Sequence, residues 1–143
     1  METLGTSPAS VANFQMVDIA AKDITQRRAI ASGIFYAAPE TIARIRERTL
    51  PKGDAIAMAE IAGIQAAKNT YITLPLCHPL AITSVRLWSH IEQHQITVFC
   101  EVRSTGKTGV EMEALCGVNA ALLCIYDLTK VIDTDLQLKN IQL

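Results

Sequence analysis

Apolar side chains alternate most clearly with polar or aromatic ones in two runs of the chain, residues 85–91 and 96–102. A period of two predicts half-buried strands, because successive side chains of a strand point to opposite faces of the sheet. Polar residues separate the two runs, so the segment predicts an antiparallel hairpin. Weaker strand signals cover residues 14–19, 28–36 and 136–143.

Three segments carry the signals of helices. Pro39 stands where a first helical residue would be, and a short amphipathic helix is expected to follow it. Asp54 is placed to cap a second helix that runs to about Ala67 and is rich in alanine and glycine. Small side chains let a helix approach its neighbours closely, so we expect this helix to pack on more than one side. A third helix, from Val110 to about Val131, has few polar positions.

The mixture of helices with a central antiparallel hairpin favours an α+β fold over a doubly wound parallel sheet. The third helix is apolar on nearly all sides, and in a small domain such a helix needs cover from several directions. A second subunit is the simplest source of that cover. The pattern therefore predicts an oligomer.

Length and composition are those of one globular domain. The chain has 143 residues, of which 50% are hydrophobic and 19% are charged, enough for a substantial core. We expect residues 1–13 to be a disordered leader and residues 14–143 to form a single domain. The formal net charge of −1 provides no general attraction to nucleic acid or to an anionic membrane.

The positions of cysteine and histidine bear on disulfides, metal binding and the cellular compartment. The four cysteines form no C-x-x-C pair and lie among apolar residues, which predicts reduced thiols without disulfides. His90 and His94 lack a ligand-spaced partner, so no metal site is predicted. No secretory signal precedes the domain, and no apolar run approaches the roughly 20 residues that span a bilayer. We expect a cytoplasmic protein with no nucleic-acid or membrane partner.

The segment Leu76-Cys77-His78-Pro79 is the first candidate for chemistry. Prolines fix its backbone outside a helix, which would hold His78 on a rigid turn. A histidine there can bind a phosphate or transfer a proton, or it can simply satisfy nearby backbone groups, and the residues leave both interpretations open. Cys77 has no base beside it in sequence, which favours a structural thiol over a nucleophile.

A glycine-containing loop before the third helix is the second candidate. It is not a complete phosphate loop, because the first glycine of the G-x-x-x-x-G-K-T pattern is missing. Lys107 remains a candidate for binding a phosphate at the helix N-terminus. Thr108 and Glu111 have the spacing of a capping box, which gives Glu111 a structural explanation. Glu113 has no such explanation, and Met112 beside it can pack on a flat ring.

Asp127 and Lys130, three residues apart on one helix face, are the third candidate. They form either an ordinary surface ion pair or, with partial burial, a pair tuned for proton transfer by a lowered lysine pKa. The residues alone favour the surface pair. At about 1.5 Å rise per residue, Glu113 lies roughly 21 Å from Asp127 along the helix. Both can serve one site only if another subunit supplies an antiparallel copy of the helix.

Five segments together resemble one enzyme family. They are MVDIAAK at 16–22, PKGDAIAMAEIAGIQAAK at 51–68, LPLCHPL at 74–80, TGKTGVEMEAL at 105–115 and IYDLTK at 125–130. Over residues 16–143 the chain is similar to the cyclic pyranopterin monophosphate synthases of molybdenum cofactor biosynthesis, the MoaC type. The resemblance implies a ferredoxin-like α+β fold, with helices packed on one face of an antiparallel sheet, and a hexamer built as a trimer of dimers.

The resemblance also implies a reaction, the conversion of 3′,8-cyclo-7,8-dihydro-GTP to cyclic pyranopterin monophosphate with loss of pyrophosphate and without a redox cofactor. Matching motifs make Asp127 the active-site aspartate, and make Lys130, Lys52 and His78 further catalytic or phosphate-contacting groups. With the candidates above, the expected substrate-binding residues are Leu76, Cys77, His78, Lys107, Glu111, Met112 and Glu113.

The C-terminus departs from the family pattern. Members usually continue into a lysine- and glycine-rich tail that helps close the site, whereas this chain stops at Leu143. The alternative prediction is therefore a catalytically incomplete oligomer that binds a nucleotide without turnover.

Overall fold

The structure, a computed structural model, describes residues 14–143, so the expected leader at 1–13 lies outside the described residues. The chain follows the β-α-β-β-α-β order of ferredoxin-like domains, with three helices at the first helical position. The strands are β1 (Thr25–Tyr36), β2 (Ile82–Ile91), β3 (Gln95–Gly106) and β4 (Gln137–Gln142). The helices are α1 (Pro39–Arg46), α2 (Ala55–Lys68), α3 (Thr70–Thr73) and α4 (Glu111–Thr129). The predicted α+β class is confirmed.

The four strands form one antiparallel sheet in the order β2-β3-β1-β4. The predicted hairpin is confirmed as β2 and β3, in which Leu87 lies opposite Cys100 and both side chains are buried. The neighbouring pair, Trp88 opposite Phe99, points to the other face, where the two rings stack at 5.2 Å between centroids. Alternation along the hairpin therefore separates a helix-covered face from an uncovered one.

Helices α2 and α4 cover one face of the sheet and cross where Gly63 meets Gly117. A methyl group at Gly63 would stand only 2.9 Å from the Gly117 carbonyl oxygen, so the crossing requires glycine there. The buried side of α2 is a stripe of small residues at four-residue spacing: Ala55, Ala59, Gly63 and Ala67. Within one chain this stripe packs against α4 and against Leu87 of β2. The opposite side of α2 leaves three large apolar side chains exposed: Met58, Ile61 and Ile64.

Helix α4 is the core helix of the domain. Its length and hydropathy alone would suit a membrane span, but half of that stretch is buried inside the domain. Its buried positions, which include Val118, Leu122 and Ile125, face β1, β3 and α2. Leu123 is 59% exposed. One chain therefore covers most of this apolar helix and leaves one side open.

The predicted strand at residues 14–19 is wrong. This segment has no strand pairing and is followed by a turn, in which the Ala20 amide donates to the Asp18 carboxylate and the Lys22 amide donates to the Ile19 carbonyl. Its alternating apolar residues line a cavity instead of a sheet, as described below.

The predicted capping box at Thr108 is also wrong. Val110 occupies the N-cap position without a side-chain hydrogen bond, and α4 begins at Glu111. Thr108 therefore lies two residues outside the helix cap, too early to cap it. By contrast, Asp54 caps α2 as predicted, because its Oδ1 accepts a hydrogen bond from the Ala57 amide at 3.1 Å.

Candidate active site

A charged cluster forms where the turn before α2 meets the C-terminal end of α4. The turn holds Lys52 between Pro51, which fixes φ, and Gly53, whose φ of +106° favours glycine. The Gly53 amide donates to the Leu50 carbonyl at 3.1 Å and closes the turn. The sequence PKG thus positions a lysine whose Nζ lies 3.5 Å from Oδ1 of Asp127.

Lys130 completes this cluster. Its Nζ lies 2.8 Å from the same Asp127 oxygen, so one carboxylate oxygen faces two ammonium groups. The hydrogen bond and charge of Lys130, and then the charge of Lys52, lower the pKa of Asp127. The hydrogen bond that Lys130 donates to Asp127, together with the charge of that carboxylate, raises the pKa of Lys130 in turn. Both groups are therefore held in their charged forms.

These pKa directions decide between the two interpretations of Asp127 and Lys130. Both side chains are 52% exposed, and the pKa of Lys130 moves up, the opposite of the lowering that partial burial would cause. Within one chain the pair is a surface ion pair. Its location is nonetheless unusual, because a carboxylate in the last turn opposes the helix dipole and needs nearby cations.

A separate cavity of about 250 Å³ lies at the opposite end of α4. It is formed by the proline-rich segment after α3, the loop and first turn of α4, and the segment before β1. The lining residues are Val17, Ile19, Lys22, Leu76, Cys77, His78, Leu80, Thr108, Gly109, Glu111, Met112 and Glu113. Apolar and methionine side chains thus stand beside carboxylates, a combination that suits a flat polar ring.

Hydrogen bonds fasten the segment 14–24 against this cavity. Nε2 of His78 lies 2.7 Å from the Val17 carbonyl oxygen, and since a carbonyl can only accept, Nε2 carries the proton. Nζ of Lys107 donates to the Ala20 carbonyl at 3.0 Å. His78 therefore satisfies a backbone group while it also lines the cavity. Lys107 does not line the cavity, but its hydrogen bond to Ala20 holds the segment that forms one side of the cavity.

Burial raises the pKa of two groups in the cavity. Glu113 is only 5% exposed, and this desolvation raises its pKa above the ordinary glutamate value. Partial burial, followed by the charge of Glu113, raises the pKa of the Cys77 thiol. A protonated thiol is a poor nucleophile, which favours the structural interpretation of Cys77.

The predicted site residues thus form two groups. Asp127, Lys52 and Lys130 meet at one end of α4. The second group lines the cavity at the other end: Leu76, Cys77, His78, Glu111, Met112 and Glu113. Their separation follows from the 19-residue length of the helix.

Comparison with known proteins identifies the chain's relatives. The model of the MoaC family matches residues 16–143. The chain belongs to the MoaC family. A cyclic pyranopterin monophosphate synthase of Thermoanaerobacter sp. (strain X514) is 46% identical over 131 residues, which cover 90% of this chain and 83% of that protein. The cyclic pyranopterin monophosphate synthase of Roseiflexus sp. (strain RS-1) is 48% identical with the same coverage.

A longer relative is similar to this chain over most of the chain's length. The molybdenum cofactor biosynthesis bifunctional protein of Synechococcus elongatus (strain ATCC 33912 / PCC 7942 / FACHB-805) is 48% identical over 130 residues, 90% of this chain. The chain spans only 41% of that protein's length.

Three further residues of the cavity lie near the start of the MoaC family match at residue 16 and were not predicted as site residues. Val17, Ile19 and Lys22 lie in the segment MVDIAAK and line the cavity. That segment was expected to form a strand, so its side chains received no role. The signal that could have identified them is the segment MVDIAAK, one of the five segments that resemble the family.

Proposed function

We propose that this MoaC family chain is a cyclic pyranopterin monophosphate synthase of molybdenum cofactor biosynthesis. It converts 3′,8-cyclo-7,8-dihydro-GTP to cyclic pyranopterin monophosphate and pyrophosphate, and is a lyase. The observation that carries the proposal is the convergence of Lys52 and Lys130 on the Asp127 carboxylate in a member of this family. Relatives named as this synthase support it over most of the chain.

The charged cluster suits proton transfer and the departure of pyrophosphate. In the reaction a substrate hydroxyl attacks the α-phosphorus, the bond to the leaving oxygen breaks, and pyrophosphate departs. In this proposal Asp127 accepts a proton and an ammonium group beside it donates one, roles that rest on the short distances between the three side chains. Two ammonium groups against one carboxylate leave a positive excess that offsets the charge of the triphosphate.

The cavity suits recognition of the purine-derived ring. Leu76 and Met112 offer exposed apolar surface at its edge. Glu113 offers a carboxylate with a raised pKa, which can hydrogen-bond to ring nitrogens in either protonation state. His78 lines the cavity, and in this proposal its imidazole binds a phosphate or carries a proton.

A site shared between subunits unites the two groups. Exposed or half-buried residues form a stripe along α4 at spacings of three and four: Met112, Cys116, Asn119, Leu123 and Asp127. The two ends of this stripe carry the cavity and the charged cluster. An antiparallel copy of α4 against this side would place Met112 of one subunit near Asp127 of the other, and would cover Leu123.

The uncovered apolar side of α2 extends the same proposed interface. Met58, Ile61 and Ile64 are 48%, 59% and 38% exposed, although a helix rich in small residues favours close packing. We assign this surface to subunit contacts of a hexamer built as a trimer of dimers. The assembled enzyme acts in the cytoplasm on a small-molecule substrate.

Turnover of the expected substrate tests the proposed reaction. The purified chain is incubated with enzymatically generated 3′,8-cyclo-7,8-dihydro-GTP, and pyrophosphate and the pterin product are measured beside an Asp127→Ala variant. We expect both products only with Asp127 present. Binding without turnover would support the alternative, a catalytically incomplete nucleotide-binding oligomer.

Complementation between variants tests the shared site. At a substrate concentration well below saturation, Asp127→Ala is inactive through lost turnover and Glu113→Ala through lost binding, but random reassociation of their subunits gives some sites with both residues intact. Twofold pairing predicts recovery of about a quarter of the wild-type activity. A mixture as inactive as its components, after exchange is verified by mass spectrometry, would place the whole site in one subunit.

A further inference from the structure

Arg48 lies in the loop between α1 and α2 and has a backbone conformation that is unfavourable for its residue type. Its φ is +61°, in the left-handed region. Among residues 14–143, the other non-glycine residue with a positive φ is Asn140, whose short polar side chain tolerates this region. The long side chain of arginine does not, so the backbone of Arg48 is strained.

This strain occurs where α1 ends. The Arg48 amide donates to the Ile45 carbonyl at 3.2 Å, and the Thr49 amide donates to the Arg44 carbonyl at 3.0 Å. These are the two hydrogen bonds of a Schellman motif, in which glycine is the usual residue at the left-handed position because it has no Cβ. Arg48 occupies that position, so glycine would satisfy the backbone there at a lower cost.

The Arg48 side chain forms an ion pair that glycine could not form. Its Nε lies 3.3 Å from Oδ2 of Asp54. The other oxygen of Asp54, Oδ1, accepts from the Ala57 amide and caps α2. The ion pair therefore joins the two ends of the segment 48–54, and Lys52 lies within that segment.

Stability does not explain why arginine occupies this position. The side chains of Arg48 and Asp54 are 75% and 32% exposed. Exposed ion pairs contribute little to stability, because solvent and salt screen them. A non-glycine residue held in the left-handed region costs a comparable or larger free energy. The arrangement is better explained by the position that the ion pair imposes on the segment 48–54.

The packing around this segment leaves its direction dependent on the ion pair. Leu50 is buried, but residues 51–54 are exposed or half-buried. A hollow of about 240 Å³, partly lined by Arg48 and Asp54, lies between the end of α1 and the start of α2. Because side chains do not fill this space, the bridge between Arg48 and Asp54 restrains the segment where packing does not.

We propose that Arg48 is a positioning residue for Lys52, because it holds Asp54 and thereby fixes the segment that presents the Lys52 ammonium group to Asp127. Nζ of Lys52 lies 3.5 Å from Oδ1 of Asp127, so a small displacement of the segment separates the two groups. This inference rests on the proposed function, in which Lys52 takes part in the reaction. Arg48 acts through Lys52 and has no ion pair with Asp127 in the part of the chain that the structure describes.

Three variants test this role. Arg48→Gly removes the ion pair and relieves the backbone strain, whereas Arg48→Lys keeps a positive charge on the same backbone. Arg46→Gln is the matched control, because Arg46 is an exposed arginine of the last turn of α1 that donates to the Glu92 carbonyl. Each protein is compared with the wild type by steady-state kinetics, by thermal unfolding, and by NMR titration of Asp127 without substrate.

We expect Arg48→Gly to lower kcat about tenfold and to change KM less than about twofold, because displacement of a catalytic group affects the chemical step more than binding. Its unfolding temperature should stay close to that of the wild type, since relief of strain offsets the lost ion pair. The pKa of Asp127 should rise, because the charge of Lys52 contributes to lowering it in the wild type. Arg48→Lys should recover most of kcat, and Arg46→Gln should match the wild type.

A double variant tests whether the effect passes through Lys52. In a Lys52→Ala protein, the additional Arg48→Gly substitution should lower kcat no further. A further tenfold loss in that protein, an unchanged pKa of Asp127 in Arg48→Gly, or an equal loss of kcat in Arg46→Gln would overturn the proposal. A parallel fall of kcat and unfolding temperature that Arg48→Lys does not reverse would assign Arg48 a purely structural role.

The titration of Asp127 separates this proposal from the proposed function, since it requires no turnover. If the wild type shows no turnover but Arg48→Gly raises the pKa of Asp127, the reaction is wrong and the positioning of Lys52 by Arg48 is supported. If the wild type turns over and the pKa of Asp127 is the same in Arg48→Gly, the reaction stands and the role of Arg48 is refuted.

Discussion

The two ends of α4 treat their carboxylates in opposite ways. At the C-terminal end, Asp127 is half exposed, and two lysines lower its pKa. At the N-terminal end, Glu113 is nearly covered, and desolvation raises its pKa. The same functional group is therefore stabilised as an anion at one end and disfavoured as an anion at the other.

This contrast suggests different tasks for the two ends. Asp127 lies between two ammonium groups, so its negative charge is held in a fixed position. It can exchange protons with these lysines when a bound substrate displaces water. A carboxylate beside methionine and leucine is better suited to holding a ring that carries hydrogen-bond donors. We therefore expect substitutions at the C-terminal end to affect turnover, and substitutions at the N-terminal end to affect binding.

The largest effect is expected from Asp127→Asn. The amide keeps the shape but can neither accept the proton nor hold the two lysines, so kcat should fall about 10³-fold while substrate affinity changes only a few-fold. Steady-state kinetics and direct binding measure the two effects. Asp135→Asn, an exposed aspartate that neither lysine contacts, is the control, and equal losses in affinity and kcat for Asp127→Asn would remove the contrast between the two ends.

Separate lysine variants sharpen the description of the charged end. Lys130 is closer to the Asp127 oxygen than Lys52, 2.8 Å against 3.5 Å, so we expect them to serve different proton transfers. Lys52→Ala and Lys130→Ala should each lower kcat about 10²-fold, with different intermediates accumulating in rapid-quench experiments. Arrest of both variants at the same step would contradict divided roles.

Met112→Ala tests the cavity end. Loss of the apolar contact should weaken substrate binding about tenfold, or about 1.4 kcal/mol, with little change in kcat. Met16→Ala is a matched control, because Met16 is 44% exposed against 43% for Met112 but does not line the cavity. A fall in kcat without a change in affinity would assign Met112 to the chemical step.

The smallest expected effect is on stability, in Glu113→Gln. A raised folded pKa means that the stability contributed by Glu113 is complete below the ordinary glutamate pKa and is lost as pH rises through the folded value. Glutamine avoids that loss, so the variant should gain about 1 kcal/mol over the wild type at pH 7 and little at pH 4. Urea unfolding at both pH values measures this gain in stability, with Glu60→Gln, an exposed glutamate of α2 that does not shift the pKa of Glu113, as control. A gain independent of pH would show that desolvation of the carboxylate is not the cause.

Local patterns predicted the main elements well. The hairpin, the Asp54 cap of α2 and the long apolar helix are all confirmed, because alternation, capping chemistry and continuous hydrophobicity are properties of neighbouring residues. The failures were a strand at 14–19 and a capping box at Thr108. Both segments had the right local composition. In the structure, however, the Val17 carbonyl pairs with His78 instead of with a neighbouring strand, and α4 begins at Glu111, too late for Thr108 to cap it.

The candidate site likewise has one part that could be predicted from the sequence and one part that could not. The sequence by itself determined which residues carry chemistry, since Asp127, Lys130, Lys52, His78 and Glu113 stand out by residue type and by family motif. Only the tertiary structure brought Lys52 to Asp127, separated by 75 positions in sequence, and laid the segment 14–24 along the cavity. Electrostatic environment is likewise a property of the fold: the opposite pKa directions of Asp127 and Glu113 depend on burial and on distant neighbours, which no local pattern records.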